Sequence, residues 1–483
     1  MEYTGPTDCY VGGEWTSSND GETIETEDPA TEESYATVQR AGPADVDAAV
    51  DAARSAVERG SDWRTMAPEE RRERLHAMAD AIEEMEDELT MVESHDNGKT
   101  PFEAGMEIGL VVDTFRYYAG WTDKLEGSQI PVEDGRLNYT RREPLGVTAH
   151  VSPWNYPFQL AGRSIAPALA CGNSVVLKPS ELTPLSALYY GKAAEAADLP
   201  DGVLNVIPGY GHDAGSALTS HEDVDHVTFT GGTDTGRTIQ RDAAEHVTDV
   251  TLELGGKGPA LVFPDADIDA ATTGIQYGIF MNAGQMCWAN SRVLAHEDVY
   301  DQVVEQMVGI AEAIPVGGGI DDDGRMGPVV SEERQSAVLD YVENAEAEGA
   351  TVAAGGGVPE EKDVGHYVEP TVLTDVTNDM TVAREEVFGP VLSVIEVADE
   401  DEALEVANDS PYGLTACLWT NDLTRAHTLA DRLDYGMVMV NETPNTWPQT
   451  PFGGTKQSGH GRQQGEAAID AFTEVKNVHV SLK

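Results

Sequence analysis

Positive charge is what this chain has least of. Across 483 residues, 30 lysines and arginines face 86 aspartates and glutamates, a formal net charge of −56. A surface this negative repels nucleic acid and anionic membrane, so neither is expected as a partner. The acidic residues are not gathered into a tail but run through amphipathic stretches such as Ala79–Glu88, the pattern of a solvated acidic shell around an ordinary fold. Such a shell suits a salt-rich cytoplasm, and a halophilic source is expected. Cysteine is also scarce: Cys9, Cys171, Cys287 and Cys417 are scattered, with no C-x-x-C spacing and no histidine cluster. A disulfide framework and a zinc site are therefore not expected, no metal is implied, and a reducing compartment fits. No apolar run approaches a membrane span, and the start of the chain lacks the apolar core of a secretory signal. A cytoplasmic protein is expected. Internal repeats and low-complexity linkers are absent, so the roughly three domains suggested by length should form one subunit.

What is present alternates. Residues 44–59, 68–92 and 100–125 carry apolar positions at helical spacing, with Pro43 and Pro68 at helix starts. From Gly146 onward, candidate strands at 147–151, 174–177, 203–207, 227–230 and 249–253 are separated by helical patterns at 158–170, 184–197, 214–220 and 235–245. This alternation predicts an α/β fold with a mostly parallel sheet covered on both faces, the Rossmann-like class. A second α/β stretch follows Gly256: a strand at 260–263, a helix at 268–281, and further elements at 291–295, 300–313, 332–348, 391–396 and 437–441. Segments 125–143 and 471–482 look extended and fit neither pattern.

Three groups stand out as chemistry. Cys287 closes Phe280-Met281-Asn282-Ala283-Gly284-Gln285-Met286-Cys287, a glycine-containing polar setting that poorly suits a merely packed thiol. Glu253 ends an apolar strand and is followed at once by Leu254-Gly255-Gly256-Lys257, and Asn155 sits in Pro153-Trp154-Asn155-Tyr156-Pro157. A thiol, a carboxylate and an amide can serve as nucleophile, general base and oxyanion donor in covalent acyl transfer. Cys9, Cys171 and Cys417 read as buried small hydrophobes.

These segments, with Leu177-Lys178-Pro179-Ser180-Glu181, Phe229–Gly236, Arg384-Glu385-Glu386-Val387-Phe388-Gly389-Pro390 and Pro451–Gly459, resemble the aldehyde dehydrogenase superfamily almost end to end, in the family's order. The resemblance implies an NAD(P)-dependent oxidation of an aldehyde through a cysteine thiohemiacetal and thioester, then hydrolysis. Cys287 would attack, Asn155 would hold the oxyanion and Glu253 would activate water. It implies a cofactor domain of residues 1–124 and 145–255, a catalytic domain of 256–469, and a small antiparallel oligomerisation element of 125–144 and 470–483, hence a homodimer or homotetramer. Cofactor contacts are implied at Val151, Ser152, Pro153, Trp154, Lys178, Ser180, Glu181, Gly211, Gly215, Phe229, Thr230, Gly231, Gly232 and Leu254, with Glu386 and Phe388 at the nicotinamide end and Glu385 structural. A carboxylate at Glu181 accepts from a ribose 2′-OH and repels a 2′-phosphate, which favours NAD over NADP.

Three departures from the family pattern matter. Many relatives carry Ser at the position of Gly232, so one phosphate contact is missing. Arg163 stands where broad-specificity relatives place Trp; it either anchors a substrate carboxylate or is structural, and Tyr156 and Trp288 would complete the substrate pocket, which Trp288 narrows. Gln463 replaces the usual Glu after Arg462 and is expected to affect subunit packing without touching the chemistry. Two alternatives remain open at this point: a coenzyme A-acylating semialdehyde dehydrogenase, disfavoured by the presence of Glu253, and a non-catalytic binding or structural protein on the same fold. Which aldehyde is oxidised is not written in these residues.

Overall fold

The computed structural model describes residues 3–318, 320 and 324–483. Five short strands, β1 (Val147–Val151), β2 (Ser174–Lys178), β3 (Leu204–Val206), β4 (His226–Thr230) and β5 (Asp249–Glu253), lie parallel in the order β3-β2-β1-β4-β5. β2 and β4 are buried along their whole length, because helices cover both faces of the sheet; β2 accordingly carries the apolar run Val175-Val176-Leu177. Cys9–Val11 extends the sheet antiparallel at one edge, and Gly459–His460 does so at the other, against β5. Chain order reverses between β1 and β4. In an open parallel sheet, the crevice beyond the strand carboxyl ends at such a reversal is where ligands bind.

A second sheet follows, built from β6 (Pro259–Val262), β7 (Arg292–His296), β8 (Thr351–Ala354), β9 (Thr371–Thr374), β10 (Val391–Val397), β11 (Thr415–Trp419) and β12 (Met437–Val440). Its order is β8-β9-β10-β7-β6-β11-β12, with only β8 antiparallel. Each sheet has its own core. One runs from Cys9 to Leu254 and takes in Ala468, Ile469 and Phe472; the other lies between Ala260 and Tyr435. Gln129–Ile130, Arg136–Pro144 and Thr473–Ser481 form a separate three-stranded antiparallel sheet.

Local structure departs from the sequence reading in places with clear causes. The single helix expected over 68–92 is two, Pro68–Glu84 and Glu86–Asn97, broken at Met85, whose N–H is shared between the carbonyls of Ala81 and Ile82. The second of these runs on until Gly98 caps it in the left-handed region (φ 89°). The helix expected to reach residue 125 stops at Ala119, before Gly120. The helix expected at 214–220 is present but short and irregular, a π-helical turn, Gly211–Gly215, running into one α-helical turn, Ser216–Thr219. Two N-terminal hairpins went unread. In Thr23–Asp28 the buried positions are Ile24, Thr26 and Asp28, so a period of two exists but only one of its inward residues is apolar. Among the described residues, no helix is long and apolar enough to cross a membrane.

Candidate active site

Three elements bring the three reactive groups together. β1 runs into Pro153–Asn155, and Pro157 then opens the helix Pro157–Cys171, at the position where its missing N–H costs nothing. β5 ends at Glu253. Cys287 follows the helix Ile268–Phe280 through a tight turn in which Asn282 (φ 47°), Ala283 (φ 50°) and Gly284 (φ 74°) are all left-handed. Non-glycine residues hold such a conformation only where their surroundings over-determine it. Here the Asn282 N–H donates to Glu103 Oε1 (2.7 Å). At Gly284 a Cβ would lie 2.1 Å from the Gly389 carbonyl oxygen, and at Gly256 one would lie 2.3 Å from the Cys287 carbonyl oxygen. The loop that carries Cys287 is thus packed backbone to backbone, at a distance only glycine permits.

A cavity of about 210 Å³ opens at the β1/β4 reversal, lined by Pro153, Trp154, Asn155, Thr230, Gly231, Gly232, Glu253, Gly255, Cys287, Arg334, Glu386 and Phe388. Cys287 is partly exposed to it, whereas Cys9, Cys171 and Cys417 are buried. Burial pushes the Cys287 thiol up to about 12, opposed by the cation of Arg163 and reinforced by Glu386 and Glu253. Glu253 is buried, and both its carboxylate oxygens are without a hydrogen-bond partner among the described residues. Desolvation raises it to about 8 against the pull of Arg163 and Arg462. Gly453 (φ 151°) leaves the carboxyl its room, since a Cβ there would stand 2.7 Å from Glu253 Oε1. Asn155 Nδ2 donates to the Gln285 carbonyl (2.8 Å), and an amide nitrogen has a second hydrogen to give.

The remaining crevice has the parts of a dinucleotide cradle. At the end of β2, Lys178 Nζ donates to the Gly209 carbonyl (2.7 Å) and reaches Glu181 Oε2 at 3.5 Å. Gly215 lies against the Lys178 stem, while Gly211 has open space around it. Ser180 caps its own turn by accepting from the Leu182 N–H (3.3 Å), and the buried Ser152 hydroxyl is left without a partner. After β4 and its buried Phe229, Gly231 donates to the Glu253 carbonyl (3.0 Å). Gly232 then stands at the N-cap of the helix Thr233–Ala243 with no side-chain cap and nothing within 4 Å of a Cβ. Space for an anion at that helix start is open. Val151 ends β1, and Leu254 packs against Gly236 inside the same helix. At the far end, Glu386 Oε1 accepts from the Gly256 N–H (2.8 Å), and burial raises its carboxyl to about 7. Phe388, left-handed at φ 55°, meets Trp154 edge-on at 5.2 Å. Glu385 instead points away, to the Tyr341 hydroxyl (2.8 Å).

On the substrate side, Arg163 stacks its guanidinium over the Phe452 ring at 4.1 Å, with Nε and Nη2 buried and lacking an acceptor among the described residues. Trp288 packs on the other part of Phe452 (centroids 5.8 Å apart), and Tyr156 lies over the Lys99 ammonium. Phe452 was passed over in the sequence as part of a glycine motif, and Arg334, which lines the cavity, carried no signal beyond a helical charge. Gln463 is buried in this chain, exchanges both backbone hydrogen bonds with Phe452 and donates from Nε2 to Thr228 Oγ1 (3.0 Å).

Comparison with known proteins is consistent across the chain. The family model described as the aldehyde dehydrogenase family matches residues 15–478. An NAD+ complex of aldehyde dehydrogenase from Bacillus cereus superposes with a TM-score of 0.97 at 46% identity, covering 99% of this chain and 97% of that one. Betaine aldehyde dehydrogenase from Staphylococcus aureus, also solved with NAD+, gives a TM-score of 0.97 at 37% identity over 99% of this chain and 96% of its own. Retinal dehydrogenase 2 of Homo sapiens is 42% identical over 99% of this chain and 92% of its own length.

Proposed function

The chain belongs to the aldehyde dehydrogenase family, and we propose that Cys287, Asn155 and Glu253 divide its chemistry as nucleophile, oxyanion donor and general base. The reaction is oxidation of an aldehyde with NAD+ and water to the carboxylic acid, NADH and a proton. The observation that carries the assignment of roles is the convergence of all three groups on one small cavity at the chain reversal of the cofactor sheet. Lys178 and Glu181 would hold the adenosine ribose, the N-terminus of Thr233–Ala243 the pyrophosphate, and Glu386 and Phe388 the nicotinamide end. Bound there, the cofactor supplies the hydride acceptor.

The protein's own part is binding, proton handling and charge. The Cys287 thiol gives up its proton to water, favoured by the Arg163 cation, and the thiolate adds to the aldehyde carbon. Asn155 Nδ2–H and the Cys287 backbone N–H receive the oxyanion of the thiohemiacetal. Once that adduct has lost hydride, a thioester on Cys287 remains. Glu253, as carboxylate, takes a proton from water, which attacks the thioester and frees the acid. A base at this position supports release to water over transfer to coenzyme A.

The relatives' names span retinal and betaine aldehyde, so substrate is set by the pocket and not by the fold. Here the unpaired, desolvated guanidinium of Arg163 beside Cys287 and Glu253 supports an aldehyde that carries its own carboxylate. Glu181 supports NAD+ over NADP+. Partly exposed β12 and the exposed Ile130, Val475 and Val480 of the antiparallel sheet support a homodimer or homotetramer, and four free cysteines support a cytoplasmic setting.

NADH release from a panel of neutral and acidic aldehydes in molar KCl tests the reading. Turnover with NAD+, unaltered by coenzyme A and best with acidic aldehydes, is expected. Arg163→Ala should raise KM for those far more than for neutral aldehydes of equal size. An equal effect on both groups would make Arg163 a packing residue.

A further inference from the structure

A cluster of fully buried charges lies behind the oxyanion donor. Lys99 follows the left-handed Gly98 and precedes Thr100, the N-cap of the helix Pro101–Ala119, so the two-helix corner turns its side chain inward. Its ammonium donates to Glu107 on that helix and to the carbonyl oxygen of Asn155 (3.2 Å), and it forms an ion pair with Glu93 Oε2 (3.2 Å) on the preceding helix. All three charged side chains have 0% exposure. Glu107 uses its other oxygen to accept from the Gln159 N–H (2.8 Å), in the first turn of the helix that follows Asn155. The same Asn155 carbonyl accepts a second bond, from Asn282 Nδ2 (2.8 Å) in the left-handed turn before Cys287.

Burying an ion cluster of this kind is a poor route to stability, because a well-packed apolar group of the same volume commonly does as well or better. What the cluster does supply is geometry. The ammonium ties two helices, one by a hydrogen bond and one by an ion pair, to the main chain of the residue whose amide must meet a developing charge.

We propose that the Lys99–Glu107–Glu93 cluster is a positioning element of the reaction, clamping the Asn155 main chain so that its amide stays in register with the Cys287 turn. Lys99 touches neither substrate nor cofactor and acts through Asn155. The proposal rests on the role of Asn155 stated above, and the test separates the two.

The burst of NADH in the full-length enzyme is measured by stopped flow with propionaldehyde and saturating NAD+, for wild type, Asn155→Ala, Lys99→Met, Glu107→Gln and the Asn155→Ala/Lys99→Met double variant. Asn155→Ala should slow the burst by ~10²–10³-fold, the loss typical of a side-chain oxyanion donor. Lys99→Met and Glu107→Gln should slow it by at least ~10-fold with KM and NAD+ affinity within about twofold of wild type, the mark of misplacement without lost binding. The double variant should be no slower than Asn155→Ala alone, because Lys99 has no other path to the reaction. Should Lys99→Met fail to fold, Glu107→Gln combined with Asn155→Ala gives the same comparison. Wild-type burst rates in folded Lys99→Met or Glu107→Gln, or losses that add to that of Asn155→Ala, overturn the clamp. A wild-type rate in Asn155→Ala overturns the oxyanion assignment and the clamp with it.

Discussion

At the scale of single residues, the site is a problem in desolvation. The proposed roles need Cys287 and Glu253 both as anions, and burial disfavours both anions. Arg163 is the cation that opposes burial at each, so one residue links attack, water activation and substrate choice. With Glu253 at about 8, its neutral form dominates below that pH. The hydrolysis rate should therefore rise about tenfold per pH unit below ~8 and level off above it. Arg163→Met removes a charge that lowers the Glu253 pKa, so the limb should move to higher pH. A limb that stays in place, or moves down, contradicts this coupling. The three reactive residues were legible in the sequence because each stands in a short motif of unusual composition. Phe452 and Arg334 were not, because what they do depends on neighbours distant in the chain: Arg163 and Trp288 for one, the cavity wall for the other.

At the scale of elements, the five parallel strands of the first sheet were legible as short runs set between helical patterns. Strands β8, β9 and β11 were missed. The β8–β9 pairing has a register shift between Val352 and Ala354, and the β8 positions are only partly covered, so no clean period survives. The turn that carries Cys287 was invisible as well. Nothing in Asn282-Ala283-Gly284 signals three left-handed residues; they are imposed by Glu103, by Asn155 and by the close approach of Gly389. That close packing makes a prediction. Gly256→Ala forces a Cβ against the Cys287 carbonyl and should cut kcat by ~10²-fold, the scale of a displacement of about an ångström at the reacting atoms. Gly309→Ala, in the helix Tyr300–Ala313 with nothing within 4 Å of an added Cβ, should change kcat little. Stopped assays of the two purified variants, side by side, check this; equal effects would mean that the Gly256 contact does not set the position of the nucleophile.

At the scale of the whole molecule, charge dominates. The acidic side chains of Asp80, Glu83, Glu84, Glu86, Asp87 and Glu88 are all exposed, as the sequence pattern implied for a solvated shell. With a net −56, self-repulsion should weaken both fold and assembly in dilute buffer. The screening length falls from ~10 Å at 0.1 M to ~3 Å at 1 M salt, which relieves that repulsion. Light scattering and thermal unfolding across 0.1–3 M KCl (roughly the range over which screening becomes complete) should show oligomer and unfolding temperature both increasing with salt. Full stability and assembly at low salt would sink the salt-adapted reading while leaving the chemistry intact.

The central claim is that Cys287 carries the acyl group and Glu253 releases it, and one measurement addresses it directly: the time course of NADH in the first turnovers of Glu253→Gln, with Cys287→Ala as the reference. Glutamine keeps the shape of Glu253 but cannot take a proton from water, so the acyl-enzyme should accumulate. The account predicts a full burst of about one NADH per active site, then a steady rate ~10²–10⁴-fold below wild type, the usual worth of a general base. Cys287→Ala should show neither phase. If the burst is lost in Glu253→Gln, the carboxylate is needed before hydride leaves, and if neither phase changes, Glu253 is not the base; either result contradicts the account.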